Sequence, residues 1–186
     1  MLEKSAELLS MRDITASNFG IVIAYLIPGV ILLGGFAQLS PELSSWLKVT
    51  SQAELTIGGF LFATLASLTL GLIASTIRWA VIDTIHHRTG LSRPDLKYSR
   101  LRNRTHAFAR IVEDRYRFYQ FYSNASVALP IAEACFLAGG ISWLSVIPAV
   151  VVEGVLLAGS RDTLKHYYLE LAQVLGTSDP EMQSVE

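Results

Sequence analysis

The chain has 186 residues, enough for one ordinary domain, yet 51% of them are hydrophobic, only 17% are charged, and the mean hydropathy is +0.40. A net charge of −1 excludes a global attraction to nucleic acid, so any such attraction has to come from uneven placement of charge. The single cysteine, Cys135, excludes an intramolecular disulfide and, lying in an apolar run, argues against a cysteine-based metal site.

In chain order, residues 1–18 carry Lys4 and Arg12 against Glu3, Glu7 and Asp13, with a short apolar stripe at Leu2, Ala6 and Leu9. No residue from Phe19 to Leu39 is charged. A secretory leader needs a basic start and a shorter apolar stretch, so a retained membrane helix over 19–39 is expected. A second charge-free run, Leu55 to Ile77, predicts a span over 55–78. The stretch from Phe118 to Ser160 carries only Glu133 and Glu153, and Gly139-Gly140 breaks it near the middle. About 20 apolar residues cross a hydrocarbon core of about 30 Å, so this stretch predicts two spans, 118–138 and 142–160. Helices are expected because lipid offers backbone groups no partners. The expected fold class is all-α: a polytopic integral membrane protein, a four-transmembrane-helix bundle with helical cytoplasmic extensions.

Lysine and arginine placement predicts the orientation. Residues 83–117 hold Arg88, Arg93, Lys97, Arg100, Arg102, Arg104, Arg110, Arg115 and Arg117, whereas the 40–54 loop holds only Lys48. The positive-inside rule puts 83–117, and with it both termini, in the cytoplasm, which suits a bacterial inner membrane. Arg78, at the inner end of the second span, is expected to snorkel to the headgroups.

Within the cytoplasmic part, "HHRTG" ends the second helix, with Gly90 as its C-cap. "SRPD" at 92–95 reads as a helix start, with Ser92 as N-cap, and Leu101, Thr105, Phe108, Val112 and Tyr119 recur at helical spacing. A helix is therefore expected to begin there and run on into the third span as a stalk. After Ser160, Leu164, Tyr168, Leu171 and Leu175 form a stripe that stops at Gly176, and a disordered tail is expected over 177–186.

Five constellations are candidates for function. Gly59, Ala63, Ser67, Gly71 and Ser75 recur every four residues, a small-residue ridge suited to close helix packing within the bundle or between subunits. Pro28, Pro130 and Pro148 each fall near the middle of a predicted span, about 14–17 Å from its outer end, where kinks would shape a cavity or gate. Glu133 and Glu153 are intramembrane carboxylates, roughly 10 Å and roughly 20 Å below the outer surface, and such acids either line an ion or proton path or fix helix packing. Arg115, Tyr116, Arg117, Phe118, Tyr119 and Tyr122 sit where the stalk meets the third span and read as an interfacial belt; the competing reading makes Tyr116 and Tyr119 part of a cytoplasmic ligand pocket. Arg100, Arg102 and Arg104 form a basic docking patch for a partner protein or an anionic ligand.

Asp83, His86 and His87 share one helical turn, but only two of them share a face, so capping is expected rather than metal binding. No phosphate-binding loop, HExxH or GxSxG motif occurs, so neither catalytic residues nor a cofactor are predicted. The leading expectation is a homo-oligomeric protein that conducts ions or permeabilises the membrane under control of its cytoplasmic helices. The alternatives are a non-conducting anchor or adaptor with a cytoplasmic platform, and a proton-coupled small transporter. Membrane lipids are the expected surroundings and nucleic acid is not an expected partner.

Overall fold

The computed structural model describes residues 19–20, 22–51, 57–140 and 142–176. The predicted N-terminal stripe at Leu2, Ala6 and Leu9 and the tail 177–186 lie outside the described residues. All regular elements among the described residues are helical: α1 (Ile27–Phe36, preceded by a wide π-helical turn, Val22–Leu26), α2 (Pro41–Ser51), α3 (Ile57–Arg88), α4 (Thr105–Ile111), α5 (Arg117–Ala138) and α6 (Val146–Leu175). A second π-helical turn, Val112–Tyr116, joins α4 to α5. The two helices and the turn between them make one continuous rod, Thr105–Ala138, which is the predicted stalk.

Two helices, Ile57–Arg88 and Thr105–Ala138, are long and apolar enough to cross a membrane by length and composition. The first predicted span appears as the shorter apolar helix Val22–Phe36. The fourth lies in the first half of α6, which continues unbroken to Leu175. Helix ends follow the glycines: α3 stops before Gly90 (φ 95°), α5 before Gly139-Gly140 (φ 91° at Gly140) and α6 at Gly176 (φ 75°), each positive φ favouring the residue without a Cβ.

Three elements differ from the sequence reading. The 40–54 connection contains α2, capped by the Ser40 hydroxyl, which accepts from the Leu43 amide at 3.2 Å. The helix expected at Ser92 starts instead at Thr105. Residues 91–97 form an extended strap, because Leu91, Pro94 and Leu96 are buried, and the strap leads into a 3-10 turn, Tyr98–Asn103. Pro148 lies in the first turn of α6 rather than in mid-helix, a position where proline is tolerated without a kink.

α5 is the central helix, packed against α1, α3 and α6. Residues 123–128 are buried all round. On its flank, α1 crosses α3 with almost no side-chain layer between them. A Cβ on Gly29 would overlap the Ser67 carbonyl, and one on Gly71 would overlap the Tyr25 carbonyl. The Ser67–Gly71 part of the small-residue ridge therefore packs inside the chain, and both residues are buried, while Gly59, Ala63 and Ser75 are half-buried. The crossing is reinforced by Pro28, which is fully buried. Lacking an N–H, it leaves the Ala24 carbonyl without its α-helical donor, and the buried Asn124 amide of α5 donates to that carbonyl at 2.7 Å.

A second, smaller core joins the strap, the stalk and the end of α6 through Leu96, Ile111, Leu171 and Leu175. Of the predicted stripe, Leu164, Leu171 and Leu175 are buried and Tyr168 is half-buried.

The crossing gives a direct test. Gly71→Val is expected to lower stability by about 1–3 kcal/mol through overpacking. Gly58→Ala, which meets nothing within 4 Å among the described residues, should not lower the melting temperature in detergent.

Candidate functional site

The last three turns of α3 change character from apolar to polar, and they carry the floor of a concavity between the helices. Its volume is about 740 Å³. Trp79, Asp83, Thr84 and His87 come from α3, Arg93, Leu96 and Tyr98 from the strap and the turn after it, and Phe108 from α4. The stalk supplies Tyr116 and Tyr119, and α6 closes the wall with Leu164, Tyr167, Tyr168 and Leu171.

At the floor, Asp83 Oδ1 accepts from Arg78 Nη1 at 3.2 Å and from the Tyr119 hydroxyl. Arg78 is buried at 5% exposure, and its guanidinium lies 5.2 Å from the Tyr119 ring centroid. It does not snorkel outward: a carboxylate one turn further along α3 and a ring face on α5 hold it inside. Beside this trio, buried His86 bonds Ser160 of α6 through Nε2 at 2.6 Å. His87 uses Nδ1 on the Asp83 carbonyl and Nε2 on the Tyr168 hydroxyl. The two imidazoles thus brace α3 against its own turn and against α6, and no group of three metal-ligating side chains occurs among the described residues.

The tyrosines form a chain. Ring centroids are 5.8 Å apart for Tyr119–Tyr116, 5.1 Å for Tyr116–Tyr167 and 5.8 Å for Tyr167–Tyr168. Burial pushes the Tyr167 hydroxyl up to about 12 and raises that of Tyr168, so both remain protonated hydrogen-bond donors. At the rim, Arg93 donates to the Tyr98 hydroxyl at 3.2 Å, which raises its own pKa further.

The aromatic cluster of the stalk therefore divides. Only Phe118, at 42% exposure, stands clear as a belt residue would. Tyr119 is 1% exposed, and Tyr116 is half-buried on the cavity wall. The Tyr122 ring lies against Gly159 of α6, 3.5 Å from where a Cβ would be. Arg115 pairs with Glu170 of α6 at 2.9 Å, and Arg117 donates to Gln120, which in turn donates to the Tyr25 hydroxyl. Tyr116 and Tyr119 are the two residues for which a ligand pocket was the competing reading.

The basic patch gathers at the end of α6 while staying exposed. Arg104 donates to the Val174 carbonyl, and Arg100 Nη1 stands 2.6 Å from the position of a Cβ on Gly176, so both guanidinium groups lie at the C-terminal end of α6. Arg102 remains exposed, on an open hollow of about 660 Å³ shared with Arg104, Thr105, His106 and Val174.

Glu133 and Glu153, apart in depth on a simple count, line one apolar groove of about 260 Å³ between α5 and α6, together with Pro130. The Ser126 hydroxyl lies near the Glu153 carboxylate without closing a well-formed hydrogen bond, and Glu153 Oε2 is buried with no partner among the described residues.

Sequence reasoning missed Trp79, Asp83, Arg93, Tyr98, Tyr167 and Tyr168 as members of one site. The available signal was Tyr98, Tyr167 and Tyr168, tyrosines placed well away from any predicted membrane boundary.

Asp83→Asn should leave the Arg78 charge buried and unpaired, lowering stability by about 3–5 kcal/mol. The paired change Arg78→Met with Asp83→Leu should cost less than Asp83→Asn alone, as read from thermal unfolding in detergent. Set against known protein families, curated protein sequences and solved structures, the chain finds no match in any of the three.

Proposed function

We propose that this chain is a four-span protein of the bacterial inner membrane, both termini cytoplasmic, that acts as a non-conducting anchor carrying a small-molecule-binding site on its cytoplasmic side. Composition and surface support the membrane part. Of the apolar window of α3 only 17% is buried within the chain. Phe60, Leu65, Leu72 and Ile73 of α3 and Ile147, Val150, Val151 and Val155 of α6 are exposed, a surface that lipid would cover. Residues 143–160 carry only Glu153, long enough for a short span when the 3-10 turn before α6 is included.

The observation that carries the functional part is the cavity beside Asp83. Four separate stretches of chain converge on it, and its wall joins aromatic faces to a few placed polar groups, the usual make-up of a small-molecule site. Its place at the polar end of α3 and the start of the stalk puts it, on this topology, at the inner membrane boundary.

A second reading, the ion-conducting homo-oligomer, draws on the Glu133–Glu153 groove, where Glu153 Oε2 is buried with no partner among the described residues.

Thermal-shift measurement in maltoside detergent against a small-molecule set tests the anchor reading. A class of compounds should raise the melting temperature of the natural chain and leave the cavity-filling variant Thr84→Trp unmoved. Reconstituted vesicles should show no ion flux; flux that Glu133→Gln or Glu153→Gln abolishes would transfer the assignment to the conducting oligomer.

A further inference from the structure

Resting on the reading of the cavity as a small-molecule site, we infer that it takes a ligand bearing an organic ammonium group. Three features of the wall point to that chemistry.

The first is the tyrosine chain itself. Adjacent rings are inclined to one another by 42°, 38° and 42° from Tyr119 through Tyr116 and Tyr167 to Tyr168. A planar ligand needs parallel faces to slide between, and these rings offer none. A compact, rounded cation needs no parallel pair, and rings inclined to one another on one wall can each meet it separately. Trp79, the ring type with the strongest cation attraction, stands at the edge of the same cavity.

The second is the distribution of donors and acceptors on the wall. Arg93 donates to Tyr98, and both ring nitrogens of His87 are bonded, to the Asp83 carbonyl and the Tyr168 hydroxyl. The acceptor a cation would need is present. Among the described residues both bonds to the Asp83 carboxylate fall on Oδ1, which leaves Oδ2 for an N–H or a methylated ammonium.

The third is internal precedent: the Arg78 guanidinium already occupies a face of Tyr119 at 5.2 Å. The wall therefore holds one cation as built. The positive charge of Arg93 stands at the exposed rim, where water screens it.

Two sources carry this group, a water-soluble amine and the headgroup of an aminophospholipid. The test uses full-length protein with Trp46→Phe and Trp143→Phe, so that Trp79 is the sole indole, in maltoside detergent. Tetramethylammonium chloride is titrated against sodium chloride at equal ionic strength. A saturable change in Trp79 fluorescence is expected with the ammonium salt alone. Tyr167→Phe, which keeps the ring, should retain the affinity, and Tyr167→Leu should weaken it about tenfold. Tyr168→Phe and Tyr168→Leu repeat the comparison should Tyr167→Leu melt early. No saturable response beyond sodium chloride overturns the inference, as does equal loss in the Phe and Leu variants, which would mean recognition through the hydroxyl.

Inorganic phosphate run in parallel separates the two levels of the argument. Saturation with phosphate and none with tetramethylammonium overturns the ammonium assignment while the cavity stands as a binding site. Silence with both, joined to a thermal-shift screen without hits, overturns both. In vesicles, a tetramethylammonium response that phosphatidylethanolamine suppresses and phosphatidylglycerol does not supports the lipid headgroup as the source. An equal response in the two supports the water-soluble amine.

Discussion

The buried Arg78–Asp83 pair is the contact on which the rest of the architecture turns. A guanidinium at 5% exposure carries a large desolvation penalty, and a single carboxylate seldom offsets it in a low-dielectric setting. Here the compensation is threefold: the carboxylate, the face of Tyr119, and the Tyr119 hydroxyl bonded to the same carboxylate oxygen. Because Arg78 and Asp83 belong to α3 and Tyr119 to α5, satisfying one buried charge also fixes how those two helices lie. That fixes in turn where Tyr116 and Trp79 stand, and the cavity is the space left between them.

The rest of the interior follows the same economy of polar contacts. Gln120, Ser123 and Asn124 are buried on the central helix, and each makes a side-chain hydrogen bond. In a chain this apolar, hydrophobic burial distinguishes poorly between one helix face and another, and specific orientation has to come from steric fit and from polar groups that are satisfied in only one arrangement. Asn124 with the Ala24 carbonyl freed by Pro28, and Gly29 and Gly71 against facing carbonyls, supply those two kinds of constraint at neighbouring points.

This explains what was legible in the sequence. Helix ends were, because Gly90, Gly140 and Gly176 act locally, and so was the C-terminal stripe, because Leu164, Leu171 and Leu175 sit in a segment polar enough for periodicity to show. The helix Pro41–Ser51 carries its own signal in Ser40-Pro41-Glu42, a cap, a first-turn proline and a first-turn acid, set between two much stronger apolar runs. The strap at 91–97 was misread because "SRPD" satisfies the local rules for a helix start, and only the tertiary burial of Leu91 and Leu96 overrides them. Tyr119 was legible only as one of two readings. A tyrosine beside an apolar run satisfies the rule for an interfacial anchor as well as the rule for a buried hydroxyl with a partner, and its partner is 36 residues away in the chain.

The wide turn Val112–Tyr116 acts as a phase shifter between the two ends of the stalk. In a regular helix, Ile111 and Tyr119 are eight positions apart and would point about 80° from each other. A single π-helical turn absorbs one residue, which reduces the offset to about 20° and brings both onto one side. Ile111 then reaches the small core with Leu96 and Leu171, while Tyr119 reaches Asp83. The lower and upper cores therefore share one rod whose two halves are set in angular register by one supernumerary residue. Loss of that residue would preserve the helix and leave the two cores facing different ways.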